Sequence, residues 1–239
     1  MWQSARVGVV IPAWCEEKLI GRTLGRVPPW VDRLVVVDDA SPDETAQRAS
    51  ATQDPRLTVL RHAENRGVGA AIATGYAVAR EEGWDVAVVM AADDQMDPVD
   101  LPALIEAVVV GGADYAKGNR FVHEDVAAMP RARRFAGRWL ARWTNWWSGL
   151  SIDDSQCGYT AISRDALKII DLKEIWPRYG YPNDLLGALA LRGLRIGEVV
   201  VRPVYRGEES GLRVWHLATI GFLIGRVAYR RLSRAEGRG

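Results

Sequence analysis

The stretch VAVVMAADDQMDP, from Val86 to Pro98, ends a run of small aliphatics with Asp93, Asp94, Gln95 and Asp97. Carboxylate and amide oxygens gathered at one chain turn suit a hard cation such as Mg2+ or Mn2+. Such an ion takes one or two protein carboxylates and completes its shell with water or phosphate oxygens. A plainer use competes with this one: Asp93 and Asp97 can cap turns, Asp97 directly before Pro98, while Asp94 can face solvent. Basic groups stand further on. Arg120 in GNRF offers a guanidinium fork that matches phosphate oxygens. Arg131, Arg133 and Arg134 follow Pro130 as a cluster.

The elements that must position these residues are legible from hydrophobic periodicity. Val7 to Pro12, Arg33 to Asp39, Arg56 to Arg61 and Trp84 to Ala92 read as strands. Glu16 to Gly25, Asp43 to Ala51 and Gly69 to Glu82 read as helices between them. The strand runs are continuously aliphatic rather than alternating, which implies a mostly parallel sheet flanked by helices on both faces. Ser41-Pro42-Asp43-Glu44 reads as a capping box that opens a helix, and Asp97-Pro98 opens another. Three strands end in polar residues, at Trp14 and Glu16, at Asp38, Asp39 and Ser41, and at Asp93. Ligands bind beyond the carboxyl ends of such sheets, so these ends imply one polar pocket. The expected organisation is a single α/β domain over 1–239, with an α/β half over 1–120 that carries the polar strand ends and a more irregular half over 121–239 that completes the site.

That second half holds the most individual segment, MPRARRFAGRWLARWTNWWSG. Phe135, Trp139, Trp143 and Trp146 recur at i, i+4, i+8 and i+11, one face of a helix, beside a stripe of Arg134, Arg138 and Arg142. Arginine next to tryptophan suits a helix lying among lipid headgroups; an aromatic core helix with solvated arginines has the same pattern. A second amphipathic stretch from Val214 to Leu232 could dock on the fold, on lipid or on another subunit, and a homodimer is one outcome. Gly67 and Gly69 open the helix after Asn65, either for close packing or to present N–H groups to an anion. His62, His123 and His216 show no ligand spacing and read as incidental.

Bulk composition narrows the class. The net charge of +1 argues against a general nucleic-acid binder. Two cysteines, Cys15 and Cys157, make no disulfide framework and fit a reducing compartment. The N-terminus lacks a signal-peptide core, and no run reaches the roughly 20 apolar residues that cross a bilayer. The expected location is therefore cytoplasmic, with peripheral membrane contact.

Six blocks in order carry a resemblance: VVIPAWCEE, VVVDDASPDET, NRGVGAAIATGYAVA, AADDQMDP, KGNRF and DSQCGYTAIS. The chain resembles the family 2 glycosyltransferases of GT-A (Rossmann-like) fold, and within them the polyprenyl-phosphate sugar synthases such as dolichol-phosphate mannose synthase. The resemblance implies that Pro12, Trp14, Glu16, Asp39 and Ser41 hold the donor nucleotide. It implies that Ala92, Asp93 and Gln95, with Asp94 as a substitute ligand, meet the metal and diphosphate, and that the cofactor is Mg2+ or Mn2+. Arg120, Arg206, Ser210 and Arg213 then face donor phosphate, Arg131, Arg133 and Arg134 the acceptor phosphate, and Asp154 and Gln156 the sugar or acceptor. Two departures stand out. Ala91 occupies the place of the block's first acid, and Cys15 replaces an asparagine.

The implied reaction is inverting transfer of a hexose from a GDP- or UDP-sugar to a polyprenyl phosphate. A hydroxyl acceptor starts near the acidity of water, with a pKa of about 15.7, and wants a base. A phosphate monoester, with a second pKa of about 6, is already largely dianionic and wants arginines. Asp184, in YPNDLL, is the candidate base if the acceptor is a hydroxyl; otherwise it serves as an N-terminal helix charge. A relative that binds nucleotide-sugar without turnover is the third reading, and Ala91 is its support.

Overall fold

The computed structural model describes residues 2–204, 221–223 and 225–226. The aliphatic runs of the first half become β1 (Val7–Ala13), β2 (Arg33–Asp38), β3 (Leu57–Arg61) and β4 (Val86–Val89). Between them lie α1 (Ile20–Arg26), α2 (Thr45–Ser50) and α3 (Val68–Glu81). The second half is less irregular than its sequence implies. It adds α4 (Leu101–Val109), β5 (Tyr115–Asn119), α5 (Arg131–Ser148), β6 (Thr160–Ser163), α6 (Arg164–Ile169), α7 (Tyr181–Leu191) and β7 (Ile196–Val200).

All seven strands join one sheet in the order β3-β2-β1-β4-β6-β5-β7. β1 lies between β2 and β4, parallel to both, with Val10 opposite Val35 and Val89. β6 alone runs against its neighbours, pairing Ala161 with Val88 and Ala116, so the sheet is mixed rather than purely parallel. Alternate residues of β1 serve opposite faces. Val9 and Ile11 pack with Ile20, Leu24 and Leu104 on one side, and Val10 packs with Ile72 and Tyr76 on the other. Each fully buried aliphatic contributes about 1.5–3 kcal/mol, so a continuous aliphatic strand is stable only when both faces are covered.

Two local expectations change. β4 stops at Val89: the Met90 N–H still reaches the Val10 carbonyl at 3.0 Å, but the Ala91 N–H turns to the Met96 sulfur and Asp94 takes φ 56°. The Ser41–Glu44 capping box does not form. α2 begins at Thr45, and the Ser41 Oγ instead accepts the Cys15 N–H at 3.0 Å. Asp97 behaves as expected, accepting the Val99 N–H at the start of a 3-10 turn. Among the described residues no helix is long and apolar enough to cross a membrane.

The order of the first four strands sets the place of the site. The chain leaves β1 for β2 and β3 on one side and returns to β4 on the other. A crevice therefore opens beyond the carboxyl ends of β1 and β4, where the strand order reverses.

Candidate active site

That crevice is a cleft of about 650 Å³, lined from these strand ends by Pro12, Trp14, Glu16, Asp39, Ala92 and Asp93. The volume suits a ligand of nucleotide size. Trp14 stands half exposed at its rim. The turn that carries Trp14 and Glu16 is held from below: Ser41 takes the Cys15 N–H, and the Thr45 Oγ1 takes the Glu16 N–H at 2.8 Å. Ser41 is itself buried, so it supports this turn instead of lining the cleft.

Asp39 is buried and organises the opposite wall. Its Oδ1 meets the His62 ring at 2.6 Å and accepts the Arg66 N–H at 2.9 Å, while Oδ2 accepts the Gly67 N–H at 2.6 Å. The second ring nitrogen of His62 meets the Thr74 hydroxyl at 3.0 Å, so this histidine positions the aspartate and is not incidental. The choice left open at Gly67 and Gly69 resolves toward packing. A Cβ at Gly67 would lie 2.5 Å from the Pro177 carbonyl, and one at Gly69 would lie 2.0 Å from that of Trp176. The amides of Gly67 and Ala70 are taken by Asp39 and Pro177, so they are not offered to an anion.

The acidic turn splits by direction. Asp93 lines the main cleft and also an adjoining pocket of about 50 Å³, which it shares with Gln95 and Arg120. Asp94 turns the other way. It is buried, paired to Arg22 at 2.9 Å and Arg26 at 2.6 Å on α1, and it lines neither the cleft nor the adjoining pocket, where a substitute metal ligand would stand. Among the described residues no group of three or more His, Cys, Asp or Glu could hold a metal. The Asp93 carboxylate and Gln95 amide together fit a Mg2+ or Mn2+ ion that draws its other ligands from a bound diphosphate.

Arg120 is not a simple phosphate arm. Its fork grips Asp154, with Nε 2.7 Å from Oδ2 and Nη2 3.0 Å from Oδ1. Asp154 is fully buried and also accepts the Gln156 and Cys157 amides, so it anchors that turn. Burial opposes ionisation of Asp154, but the charges of Arg120 and Lys117 and the hydrogen bonds from Arg120 outweigh it and hold the carboxyl below its usual range. Gln156 bridges the turn to α7 through the Asn183 side chain at 3.0 Å.

Residues 8–168 match the family model described as glycosyl transferase family 2. The chain belongs to that family. Over 216 residues it is 35% identical to the undecaprenyl-phosphate mannosyltransferase of Micrococcus luteus, a match covering 86% of this chain and 87% of that one. It is 28% identical over 246 residues to a UDP-N-acetylglucosamine–dolichyl-phosphate N-acetylglucosaminyltransferase of Methanococcus voltae, covering 96% of each. The fold is similar to that of Mycobacterium tuberculosis glucosyl-3-phosphoglycerate synthase, with a TM-score of 0.68 at 23% identity over 97% of this chain and 81% of that one.

In this family 2 glycosyltransferase the candidate base for a hydroxyl acceptor does not line the cleft. Asp184 is fully buried outside the cleft lining; its Oδ2 accepts the Trp176 N–H at 3.0 Å, and Arg226 lies 3.6 Å from Oδ1. Asp184 therefore tethers the segment from Trp176 to Tyr181, and that segment brings Arg178 and Tyr179 into the cleft wall. Neither residue was singled out from sequence. Arg178 reaches Asn65, which also lines the cleft, a pairing 113 residues apart that no local pattern announces. Burial raises the Tyr179 phenol pKa, and the charges of Arg133 and Arg120 oppose the rise. Arg131 and Arg134 begin α5, exposed and half-buried respectively, and neither lines the cleft. Arg206, Ser210 and Arg213 lie outside the described residues.

Proposed function

We propose that this enzyme transfers a hexose, with inversion, from a GDP- or UDP-sugar to a polyprenyl phosphate. One observation carries the reading: Tyr179, which lines a cleft of nucleotide size, packs against Leu140 of the arginine-rich α5 and feels the charges of Arg133 and Arg120. The mannosyl- and N-acetylglucosaminyltransferases to which the chain is similar carry undecaprenyl-phosphate and dolichyl-phosphate in their names.

The residues divide the work accordingly. Trp14, Glu16 and the Asp39-held loop enclose the nucleotide. Asp93 and Gln95 would hold Mg2+ or Mn2+ against the diphosphate. The cation, when bound, neutralises the leaving diphosphate and eases its departure. A phosphate acceptor is largely dianionic at neutral pH and needs no proton removed. Arg133, with Arg131 and Arg134 at the same helix end, orients it by charge-assisted hydrogen bonds. The burial of Asp184 costs such a reaction nothing.

α5 supports peripheral membrane contact. Phe135, Trp139, Trp143 and Trp146 are 76, 49, 38 and 70% exposed, while Gly137, Leu140, Ala141 and Thr144 face the fold. An aromatic helix face left open in this way suits the headgroup layer, where a lipid-borne acceptor resides. Both cysteines are free, in keeping with the cytoplasmic side of the membrane. The test is nucleotide release from UDP- and GDP-sugars with and without Mn2+ and a short polyprenyl phosphate. The expected result is release that depends on the polyprenyl phosphate. Release that responds only to a sugar or alcohol hydroxyl would overturn the assignment.

A further inference from the structure

A second groove, of about 390 Å³, lies between α5 and the segment that follows β5, and it shares no lining residue with the donor cleft. Arg138 and Arg142, one helical turn apart, form one side, and Asp153 lines it too. None of the three forms an ion pair among the described residues, although α5 carries five arginines and no acid. Most arginines elsewhere are matched to carboxylates, as in Arg26 with Asp94, Arg33 with Glu82, Arg56 with Asp54 and Arg120 with Asp154. The groove thus gathers two cations and one anion that do not neutralise one another.

We propose that this groove binds the headgroup of a membrane phospholipid that joins a phosphodiester to a primary ammonium, a phosphoethanolamine headgroup. Arg138 and Arg142 take the phosphodiester oxygens as a guanidinium pair. Asp153 accepts hydrogen bonds from the ammonium. A quaternary ammonium is the poorer match, because it donates no hydrogen bond and the face of Phe121 is already covered by Arg138 at 5.6 Å. A lipid is favoured over a free headgroup because Phe135 and Trp139 line the groove and also belong to the exposed aromatic face. Acyl chains can therefore run along that face while the headgroup sits in the groove. The inference rests on α5 lying in the bilayer surface.

The experiment is flotation of the full chain with phosphatidylcholine vesicles containing an equal fraction of either phosphatidylethanolamine or phosphatidylglycerol. The groove predicts at least about fivefold tighter binding to the phosphatidylethanolamine vesicles than to phosphatidylcholine alone. Asp153→Asn removes that preference even though it makes the protein more positive. Arg142→Lys, which keeps the charge but loses the fork, weakens binding severalfold. Both variants keep wild-type turnover with a short, detergent-dispersed acceptor. Diffuse attraction makes the opposite forecast: phosphatidylglycerol preferred, Asp153→Asn tighter and Arg142→Lys unchanged. That pattern would overturn the groove assignment and leave membrane docking standing, whereas absence of flotation with every vesicle would remove both.

Discussion

Asp184 and Trp176 are joined by a 3.0 Å hydrogen bond from the tryptophan amide to a carboxylate buried at the start of α7. This bond fixes the chain just ahead of Arg178 and Tyr179, so a residue outside the cleft shapes the cleft wall. Arg226 adds a second restraint, 3.6 Å from the same carboxylate and 6.0 Å from the Trp176 ring centre.

Asp184→Asn is therefore expected to leave the pH dependence of kcat unchanged and to raise the donor KM severalfold. Asp184→Ala leaves the Trp176 N–H without its acceptor and is expected to destabilise the fold by about 1–3 kcal/mol, the range for an orphaned buried donor. A pH-rate profile and a thermal melt read the two effects. Loss of kcat in Asp184→Asn at wild-type stability would instead mark a catalytic base.

Asp39→Asn tests the opposite wall. One carboxylate oxygen becomes an amide that must face the Arg66 or Gly67 N–H, an arrangement costing about 1–3 kcal/mol. The expected result is a donor KM raised about tenfold or more, with the acceptor KM little changed. Equal effects on both substrates would mean that the loop after His62 serves more than the donor.

Asp154 gives a pH prediction. Its folded pKa is depressed, because the Arg120 and Lys117 charges and the Arg120 hydrogen bonds outweigh burial. The stabilisation is thus fully present above the unfolded carboxylate value of about 3.9 and is lost as pH falls through the folded value. Acid titration of unfolding should show Asp154→Asn less stable than wild type at pH 6, with the difference shrinking below about pH 4.

How much of this was readable beforehand depends on the range of the interaction. Pro12, Trp14, Glu16, Asp39 and Asp93 meet in one cleft because continuous aliphatic strands imply a covered sheet whose polar ends share an edge. The α5 aromatic face was readable because helical spacing is local. What the sequence hid depends on distant partners. Ser41 is drawn from its capping box by Cys15, and Asp94 is turned from the cleft by Arg22 and Arg26. Arg178 and Tyr179 enter the wall through a tether at Asp184 that no spacing rule contains. β6 was missed because its register is set by β4 and β5 on either side.

The arginine cluster separates by position. Arg133 is the member whose charge reaches Tyr179 at the cleft, whereas Arg131 is exposed. Arg133→Ala is expected to raise the acceptor KM by about tenfold or more, as loss of a charge-assisted contact of roughly 1.5–3 kcal/mol implies. The donor KM should stay within about twofold. Arg131→Ala should do less than Arg133→Ala; the reverse order in steady-state kinetics would place the acceptor phosphate at the outer end of the helix.

Ala91 offers a gain-of-function test. It lines the cleft beside Asp93, at the position where the related sequence block carries an acid, and Asp94 is already committed to two arginines. On the proposed reading, the cation would draw its ligands from Asp93, Gln95 and the diphosphate. Ala91→Asp adds a hard oxygen ligand and a negative charge at the same strand end, and more anionic oxygen ligands favour a hard divalent ion. The half-saturating Mn2+ concentration, measured at fixed donor, should fall by about tenfold. In the absence of metal the same variant should bind nucleotide diphosphate more weakly, because the added carboxylate then faces the phosphates unscreened. Calorimetric titration of the nucleoside diphosphate with and without Mn2+ separates the two effects. If neither affinity moves, the diphosphate lies away from the end of β4 and Asp93 is not its anchor.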